Sequence, residues 1–248
     1  MDAIAGTDAE PVTAAAPRAV PFALLAQDWR EVTFLHWAVA PEAVAPLLPP
    51  GLRPDLHEGR TYVGLVAFRM VRVGPPRLPV PYFGTFAETN IRVYSVDRHG
   101  RRGVVFLSLD AARLLPALVG RYVARLPYRW AAMRVGREPG GTVRYRSRTR
   151  WPGRGTVDRL AIRPGERIGV PTATETFLTA RWGLHTRIAG RTRYLPNVHE
   201  CWPLHRAELL DQHSGLVAAC GLADAVAEPV SVLFAPAVSV RFGLPLRA

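Results

Sequence analysis

Alternation of apolar and polar side chains with a period of two dominates this chain, together with short continuous apolar runs. Both patterns are typical of β-strands. The segments that show them are 32–39, 61–70, 85–96, 103–109, 142–151, 156–162, 184–187, 199–209 and 230–242. Because no long helices intervene, the order of these segments favours an antiparallel or mixed sheet over βαβ units.

Helical periodicity is confined to a few short segments. They are 41–48, which opens with a proline, a stretch that begins at Ala111 or Pro116 and ends at Arg125, and 174–182. Proline is well tolerated in the first turn of a helix, which supports the first of these. The sequence therefore predicts an α+β fold that is mostly β: a strongly curved antiparallel or mixed sheet, or a barrel, with two or three helices packed on it.

The domain organisation follows from the distribution of turn-forming residues. The 21 glycines and 23 prolines are spread evenly, so a single domain over residues 19–248 is expected after a disordered leader over residues 1–18. The leader carries Asp2, Asp8 and Glu10 where a secretory signal needs positive charge, and no apolar run is long enough to cross a bilayer. We expect a cytoplasmic protein without a membrane segment.

The charge balance is strongly basic, and all of the basic residues are arginine. There are 32 basic against 20 acidic residues, a formal net charge of +12, and no lysine occurs in the printed sequence. An imine on a lysine side chain is therefore excluded for this chain. The bias towards arginine over lysine also weakens the basic charge as a sign of a nucleic-acid partner.

One predicted strand gathers much of this charge. Arg144, Arg146, Arg148 and Arg150 occupy every second position, so a strand places them on one face. That face would bind a polyanion, or it is simply a solvated strand surface. The neighbouring aromatic residues alternate onto the opposite face, away from any bases that they would stack on, so this pattern counts against a nucleic-acid partner.

The most informative segment is 85–96. Alternation places Glu88, Asn90 and Arg92 on one face of the predicted strand. Inside a curved sheet, such a face would hold a carboxylate or carbonyl ligand, or transfer a proton, with Glu88 ionised beside Arg92. The alternative interpretation is a structural ion pair between Glu88 and Arg92.

Two further patterns carry less chemistry. Ser108 and Asp110 share a face, and Asp110 is positioned to cap the helix that follows. His199, Cys201 and His205 would share a face of one strand, but the two histidines would lie about 20 Å apart at ~3.3 Å per residue. We therefore expect no metal site.

Motifs for nucleotide cofactors and for a serine nucleophile are also absent from the sequence. Because no glycine-rich nucleotide loop occurs, we expect no cofactor. Because no Gly-x-Ser-x-Gly elbow occurs, a Ser-His-Asp triad stays open without an assigned serine.

Several motifs together resemble the YqjF-like family, a bacterial family of unknown function. They are 34–37 (FLHW), 47–52 (LLPPGL), 88–94 (ETNIRVY), 106–111 (FLSLDA), 126–128 (LPY), 175–182 (ETFLTARW) and 199–204 (HECWPL). The series spans residues 28–244. That family is in turn similar to the acetoacetate decarboxylase superfamily, which implies a curved antiparallel sheet closing around an internal cavity.

The resemblance also implies site residues. The superfamily's reactive lysine follows a Phe-Pro dipeptide, which Leu126-Pro127 resembles here, so that Tyr128 stands where the lysine would be. Glu88 matches a cavity glutamate, and His36 stands near the position of a first-strand arginine. Without the lysine, the resemblance implies the cavity and not the imine reaction.

These observations together predict a protein that binds a small organic acid or carbonyl compound. Arg92 would hold the anionic end, with Asn90 and Ser108 as further ligand-binding residues. If the protein is an enzyme, we expect non-covalent acid–base chemistry of a lyase, isomerase or cyclase, carried by Glu88, Tyr128 and His36. Polyanion binding by the Arg144–Arg150 strand face, or a structural or partner-binding role, are the alternatives.

Overall fold

The structure, a computed structural model, describes residues 8–225 and 228–248. The strands are β1 Leu25–Val39, β2 Leu52–Pro54, β3 Thr61–Gly74, β4 Phe86–Asp97, β5 Arg102–Ala111, β6 Tyr128–Arg137, β7 Val143–Trp151, β8 Val157–Arg167, β9 Gly183–Ile188, β10 Arg191–His199, β11 His205–Ser214, β12 Ser231–Phe242 and β13 Leu246–Arg247. The α-helices are α1 Pro41–Val44, α2 Leu114–Tyr122, α3 Ala173–Thr179 and α4 Gly215–Ala219.

All of these strands belong to one sheet, and the sheet closes on itself twice. Strands β5-β6-β7-β8-β11-β12-β1-β3-β4 form a closed circuit, which we call the large ring. Strands β12-β1-β3-β4-β5-β9-β10 form a second circuit, the small ring. The two rings share β12, β1, β3, β4 and β5, which we call the shared wall. The prediction of a mostly-β, strongly curved sheet is confirmed.

The shared wall presents one face to each ring because successive side chains of a strand point to opposite sides. Leu35, Leu65 and Ile91 form one core with Tyr145 and other residues of β7 and β8, so this face lines the large ring. The opposite face packs on β9, α3 and Trp202, in the small ring. Residues that alternate along β1, β3 and β4 are thereby divided between two interiors.

The predicted strand 199–209 is wrong as a single element. Strand β10 ends at His199 and β11 begins at His205, with residues 200–204 between them outside any strand. Pro203 explains the break, since proline has no N–H for a ladder hydrogen bond. Strand β6 was missed, and β10 was predicted only at its last residue.

The predicted helices are present but shorter than the sequence suggests. Segment 41–48 divides into α1 and a 3-10 turn over residues 45–47, and α3 ends at Thr179 instead of Trp182. Helix α3 begins with a capping box, in which Thr172 and Glu175 satisfy each other's backbone N–H groups. Helix α4 was not predicted.

The N-terminal segment packs on the turn between β4 and β5. Residues 1–7 of the predicted leader lie outside the described residues. The backbone N–H of Glu10 donates to the carbonyl of Gly100 (2.9 Å), and its carboxylate accepts from the backbone N–H of Arg102 (2.9 Å). Within the described part of the chain, no helix combines the length and the hydrophobicity needed to cross a bilayer.

Candidate functional site

Polar side chains from adjacent strands of the shared wall meet on its small-ring face. His36 lies opposite Gly64 in the β1–β3 register, and Gly64 lies opposite Arg92 in the β3–β4 register. Glu88 and Asn90 follow on the same face of β4. These side chains are almost fully buried, with exposures of 0% for His36, 2% for Glu88, 3% for Asn90 and 5% for Arg92. The structure thus brings together the residues that alternation grouped on β4.

Gly64 gives His36 and Arg92 room to approach each other. A Cβ at this position would lie 3.3 Å from Arg92 Cγ and 3.3 Å from His36 Cδ2. Contacts this short force the neighbours to move by a few tenths of an ångström. The glycine therefore permits the imidazole and the guanidinium to share one compartment.

Glu88 is bonded to Tyr128, which reaches it from β6. Tyr128 lies opposite Leu109 in the parallel β5–β6 register, and its hydroxyl donates to Glu88 Oε2 at 2.8 Å. Helix α2 covers the tyrosine, and the absence of a Cβ at Gly120 allows this, since that atom would lie 2.2 Å from the tyrosine ring. Tyr128 therefore donates to Glu88 in this structure.

The protonation of Glu88 differs from the expectation of an ionised carboxylate paired with Arg92. Burial raises the pKa of Glu88 to about 7, against the weaker opposing effect of the hydrogen bonds from Tyr128 and Asn90. No ion pair joins Glu88 to Arg92 among the described residues. The structural ion pair is thus absent there, and burial favours the neutral form of the Glu88 carboxyl.

Arg92 is a buried cation without a carboxylate partner. Its Nη2 donates to the carbonyl of Leu178 at the end of α3 (2.9 Å) and lies 3.5 Å from the hydroxyl of Tyr94. Its Nε has no hydrogen-bond partner, and no Asp or Glu oxygen lies within 4.0 Å of its guanidinium in residues 8–225 and 228–248. The rings of Phe34 and Tyr94 lie under the guanidinium, at 5.6 and 5.7 Å.

His36 and Asn90 also have unused hydrogen-bonding capacity. Neither ring nitrogen of His36 has a partner in the described chain, and neither does Asn90 Oδ1. Burial, with Arg92 and Arg181 nearby, holds the pKa of His36 well below its usual range, so the ring is neutral and offers one donor and one acceptor. Together with Arg92 Nε, these atoms form an unsatisfied polar set, which is expensive to bury unless something binds it.

Ser108 lies on the other face of the shared wall. It is opposite Ile91 in the β4–β5 register, and Asp110 is opposite Thr89, so both point into the large ring. Asp110 does not cap α2 as predicted. It accepts hydrogen bonds from Arg129 Nε (2.9 Å) and Thr149 Oγ1 (2.7 Å), and α2 has no side-chain cap.

Two other sites considered from the sequence were a metal site at His199, Cys201 and His205 and a Ser-His-Asp triad. His199 stacks on Trp182, with ring centroids 4.3 Å apart, and the described residues contain no His/Cys/Asp/Glu group suited to a metal ion. A Ser-His-Asp arrangement does occur: Ser95 Oγ lies 2.8 Å from His185 Nδ1, and His185 Nε2 lies 3.5 Å from Asp97 Oδ2. Ser95 is buried, and its hydroxyl also donates to the Gly103 carbonyl at 3.4 Å, so its hydrogen bonds are made within the protein.

Sequence reasoning missed part of the site. Tyr94, which donates to the Leu178 carbonyl at 2.8 Å, continues the alternation of residues 88, 90 and 92 and was recognisable by that period. Trp202 packs edge-on against Phe34 (5.0 Å), and Phe34 stacks on His36 (6.2 Å). Trp202 also lines a surface pocket of about 320 Å³. A layer of aromatic rings therefore separates the polar site from this pocket.

The arginine strand face forms as the alternation predicted. Arg146, Arg148 and Arg150 are exposed on β7, and Arg144 pairs with Glu138 at 2.6 Å. Arg150 lies over the ring of Trp130, 4.9 Å from its centroid.

The chain is similar to proteins whose own functions are not established. The model of the DUF2071 family, described as an uncharacterized conserved protein, matches residues 26–239. The uncharacterized protein YqjF of Bacillus subtilis (strain 168) is 31% identical over 191 residues, which cover 75% of this chain and 76% of that protein. The resemblance to the YqjF-like family is confirmed.

Solved structures with this fold include acetoacetate decarboxylase-like enzymes and a biosynthetic enzyme. An acetoacetate decarboxylase-like enzyme from Sphingomonas wittichii RW1 superposes with a TM-score of 0.61 at 14% identity, over 94% of this chain and 99% of that chain. The enduracididine biosynthesis enzyme MppR complexed with pyruvate gives 0.60 at 17% identity, over 93% and 92%. At these identities the likeness shows the fold, and the predicted acetoacetate decarboxylase-like fold is confirmed.

Proposed function

The chain belongs to the DUF2071 family, and we propose that it binds a small organic acid or carbonyl compound in the polar site of the small ring and moves a proton on it. The observation that carries this proposal is the buried guanidinium of Arg92, which has no carboxylate partner in the described chain. Burying an unpaired charge is costly, and a bound anion removes that cost.

The neighbours of Arg92 suit a carboxylate or a polarised carbonyl. Arg92 Nε and an N–H of His36 are donors without partners, and Asn90 Oδ1 is an acceptor for a hydroxyl or an amide. The aromatic surroundings of Phe34 and Tyr94 keep the local dielectric low, which strengthens the attraction between a guanidinium and an anion. Such a set recognises a compact anion better than a long polyanion.

Glu88 supplies the proton transfer. With a pKa of about 7 it is present near neutral pH both as a base and as an acid. As a base it takes a proton from the carbon next to a carbonyl, the electron pair moves to the carbonyl oxygen, and Arg92 and His36 stabilise the resulting oxyanion. Returning the proton to another position would give an isomerisation, and expelling a leaving group would give a lyase reaction.

Tyr128 has a positioning role in this proposal. Its hydroxyl donates to Glu88 Oε2 and so orients the carboxylate, and burial together with the glutamate charge raises the tyrosine pKa well above its usual range. It therefore stays protonated as a donor. Since the chain has no lysine, the reaction proceeds without an imine on a lysine side chain. The pyruvate named with MppR is the kind of ligand that this site would take.

The proposal is tested first by ligand binding. Thermal unfolding is followed with millimolar pyruvate, acetoacetate, 2-oxobutyrate and lactate, each matched with its uncharged amide. At least one acid is expected to raise the melting temperature, whereas its amide should not. If no acid does so, or if acids and amides act alike, the proposed anion site is wrong.

Proton transfer is tested by hydrogen exchange in D₂O. Loss of the methyl proton signal of pyruvate, followed by ¹H NMR, should be accelerated by the protein, and Glu88→Gln should remove most of the acceleration, at least about 100-fold. Tyr128→Phe should slow the exchange less, because it leaves the base in place. Exchange that is unchanged in Glu88→Gln would contradict the role of the glutamate.

A further inference from the structure

A groove on the surface follows one edge of β5, where two neighbouring strands diverge. Strand β9 pairs with β5 at Val104, and β6 pairs with the same edge from Leu109 onward. Between these points, residues 105–108 have no strand partner on that edge in the described chain. The open edge coincides with a groove of about 710 Å³, lined by residues 47–50, 105–107, 121, 122, 125–127 and 185–187. We call it the β5 groove.

The floor of this groove carries unused main-chain hydrogen-bonding groups. About half of the N–H and C=O groups of a strand point to each edge, and on a sheet edge they are a template for an added strand. Val105 and Ser108 are buried, while Phe106 and Leu107 are half-buried. The open stretch spans about 13 Å at ~3.3 Å per residue, which is enough for three or four residues of an extended chain.

The rim of the groove is positively charged. Arg121, Arg125 and Arg187 line it, and no acidic residue does. Their known contacts are with main-chain oxygens and a ring: Arg121 donates to the Tyr128 carbonyl (3.1 Å) and lies over Trp151, and Arg187 reaches the Gly190 carbonyl (3.4 Å). No ion pair with a carboxylate is formed by any of the three within the described residues. The rim therefore attracts negative charge.

We propose that the β5 groove binds an extended acidic peptide segment, which adds a short strand to β5 between β9 and β6. The peptide main chain would pair with residues 105–108, and acidic side chains would meet Arg125 and Arg187 at the rim. Apolar side chains on the peptide would pack on the walls formed by Leu47, Leu48 and Leu126. The proposal uses none of the residues assigned to the organic-acid site.

An acidic peptide fits this groove better than a free anion or a polyanion does. An inorganic anion would satisfy the arginines and leave the β5 edge unpaired. A nucleic acid carries its charge on a backbone that does not pair with a β-edge. Only an extended peptide offers alternating donors and acceptors together with carboxylates at a two-residue period.

The test uses the full chain and a labelled peptide. Fluorescence anisotropy of fluorescein-labelled Glu-Val-Glu-Val-Glu-Val is measured at low salt, and saturable binding is expected. The double variant Arg125→Ala/Arg187→Ala should weaken it by about tenfold or more, as expected for the loss of two charge contacts. The matched control Arg146→Ala/Arg148→Ala removes the same charge from the β7 face and should bind as the parent does.

A modified peptide separates strand addition from charge alone. The same sequence with an N-methyl group on every residue keeps every carboxylate but has no main-chain N–H to donate along either edge, so we expect its binding to be lost. Equal binding of the two peptides would overturn the proposal, and so would an equal loss in the β7 control. Absence of binding by the acidic peptide, or tighter binding of a labelled single-stranded oligonucleotide, would also overturn it. Unchanged melting temperatures verify that the variants are folded.

Discussion

Two arginines are buried in the small ring beside Tyr94 and α3, and they differ in what surrounds their charge. Arg181 is 4% exposed, forms an ion pair with Asp55, and donates to the Phe177 carbonyl through Nε at 2.8 Å. Its guanidinium lies over the rings of Phe177 and Tyr94, at 4.1 and 4.5 Å. Arg92 is 5% exposed and has one short hydrogen bond, to the Leu178 carbonyl, with no carboxylate partner in the described chain.

Under the proposed function, this difference separates an arginine that holds the fold together from one that binds a ligand. Asp55, which also pairs with Arg102, joins α3 to the strands, so Arg181 is part of a completed network. Burial tends to lower the pKa of Arg181, and Asp55 opposes that effect. Arg92 contacts the Leu178 carbonyl and the rings of Phe34 and Tyr94, but no carboxylate in the described chain pairs with it. Burial alone therefore does not distinguish the two arginines, and the proposal for Arg92 depends on burial without a counter-ion.

The largest loss of stability is expected when Arg181, the arginine paired with a carboxylate, is replaced. Arg181→Met leaves Asp55 with Arg102 as its one ion-pair partner among the described residues, and should lower the free energy of unfolding by about 3–5 kcal/mol, as expected for a broken buried ion pair. Chemical denaturation measures this directly. A loss below about 1 kcal/mol would show that the Asp55 network contributes little to stability.

The next largest effect is a pH dependence caused by Glu88. Because burial raises its pKa from 4.5 to about 7, the folded protein keeps a proton between these pH values that the unfolded chain has lost. The free energy of unfolding therefore falls as the pH rises from about 4.5 to about 7, by at most about 3 kcal/mol, and this fall ends above that range. Glu88→Gln should remove this fall and be at least as stable as the parent at pH 8.

Asp158 provides the matched control for this pH dependence. It lies in the large ring, and burial raises its pKa from 3.8 to about 7, so it contributes its own fall in stability over a similar range. Asp158→Asn should remove that part and leave pyruvate exchange unchanged. A Glu88→Gln variant with the parent's full pH slope would contradict the raised pKa of Glu88.

A smaller effect on stability is expected at Arg92 itself. Arg92→Met removes one hydrogen bond to the Leu178 carbonyl, which still accepts from Tyr94, and also removes the cost of an unpaired buried charge. The free energy of unfolding should change by less than about 1.5 kcal/mol in either direction. A loss as large as that of Arg181→Met would mean that the two arginines are both structural.

The smallest effect is expected at Gly64. Gly64→Ala places a methyl group 3.3 Å from both Arg92 Cγ and His36 Cδ2, and the side chains have to shift slightly. We expect a loss of about 1 kcal/mol or less in stability, and a severalfold weaker affinity for the organic acid. Gly136→Ala, on an exposed strand position with open space around its Cβ, is the control. Equal affinities in the two variants would show that the Arg92–His36 spacing is unimportant.

The sequence alone predicted which side chains of one strand lie on the same face. It did not predict how the strands pair with one another. Alternation alone placed Glu88, Asn90 and Arg92 together, because all three belong to one strand. Ser108 was misplaced because its face depends on the β4–β5 register, which shifts by a bulge between Ile91 and Arg92. The double closure of the sheet is likewise a property of long-range pairing, which no single segment encodes.

Calorimetric titration of pyruvate into the parent and into Arg92→Met tests the central claim most directly. The claim is that the buried charge of Arg92 is kept unpaired for a ligand's carboxylate. The parent should bind pyruvate, and Arg92→Met, folded and of similar stability, should bind it at least about tenfold more weakly. Equal affinity of the two proteins, or no binding to the parent, would contradict the claim.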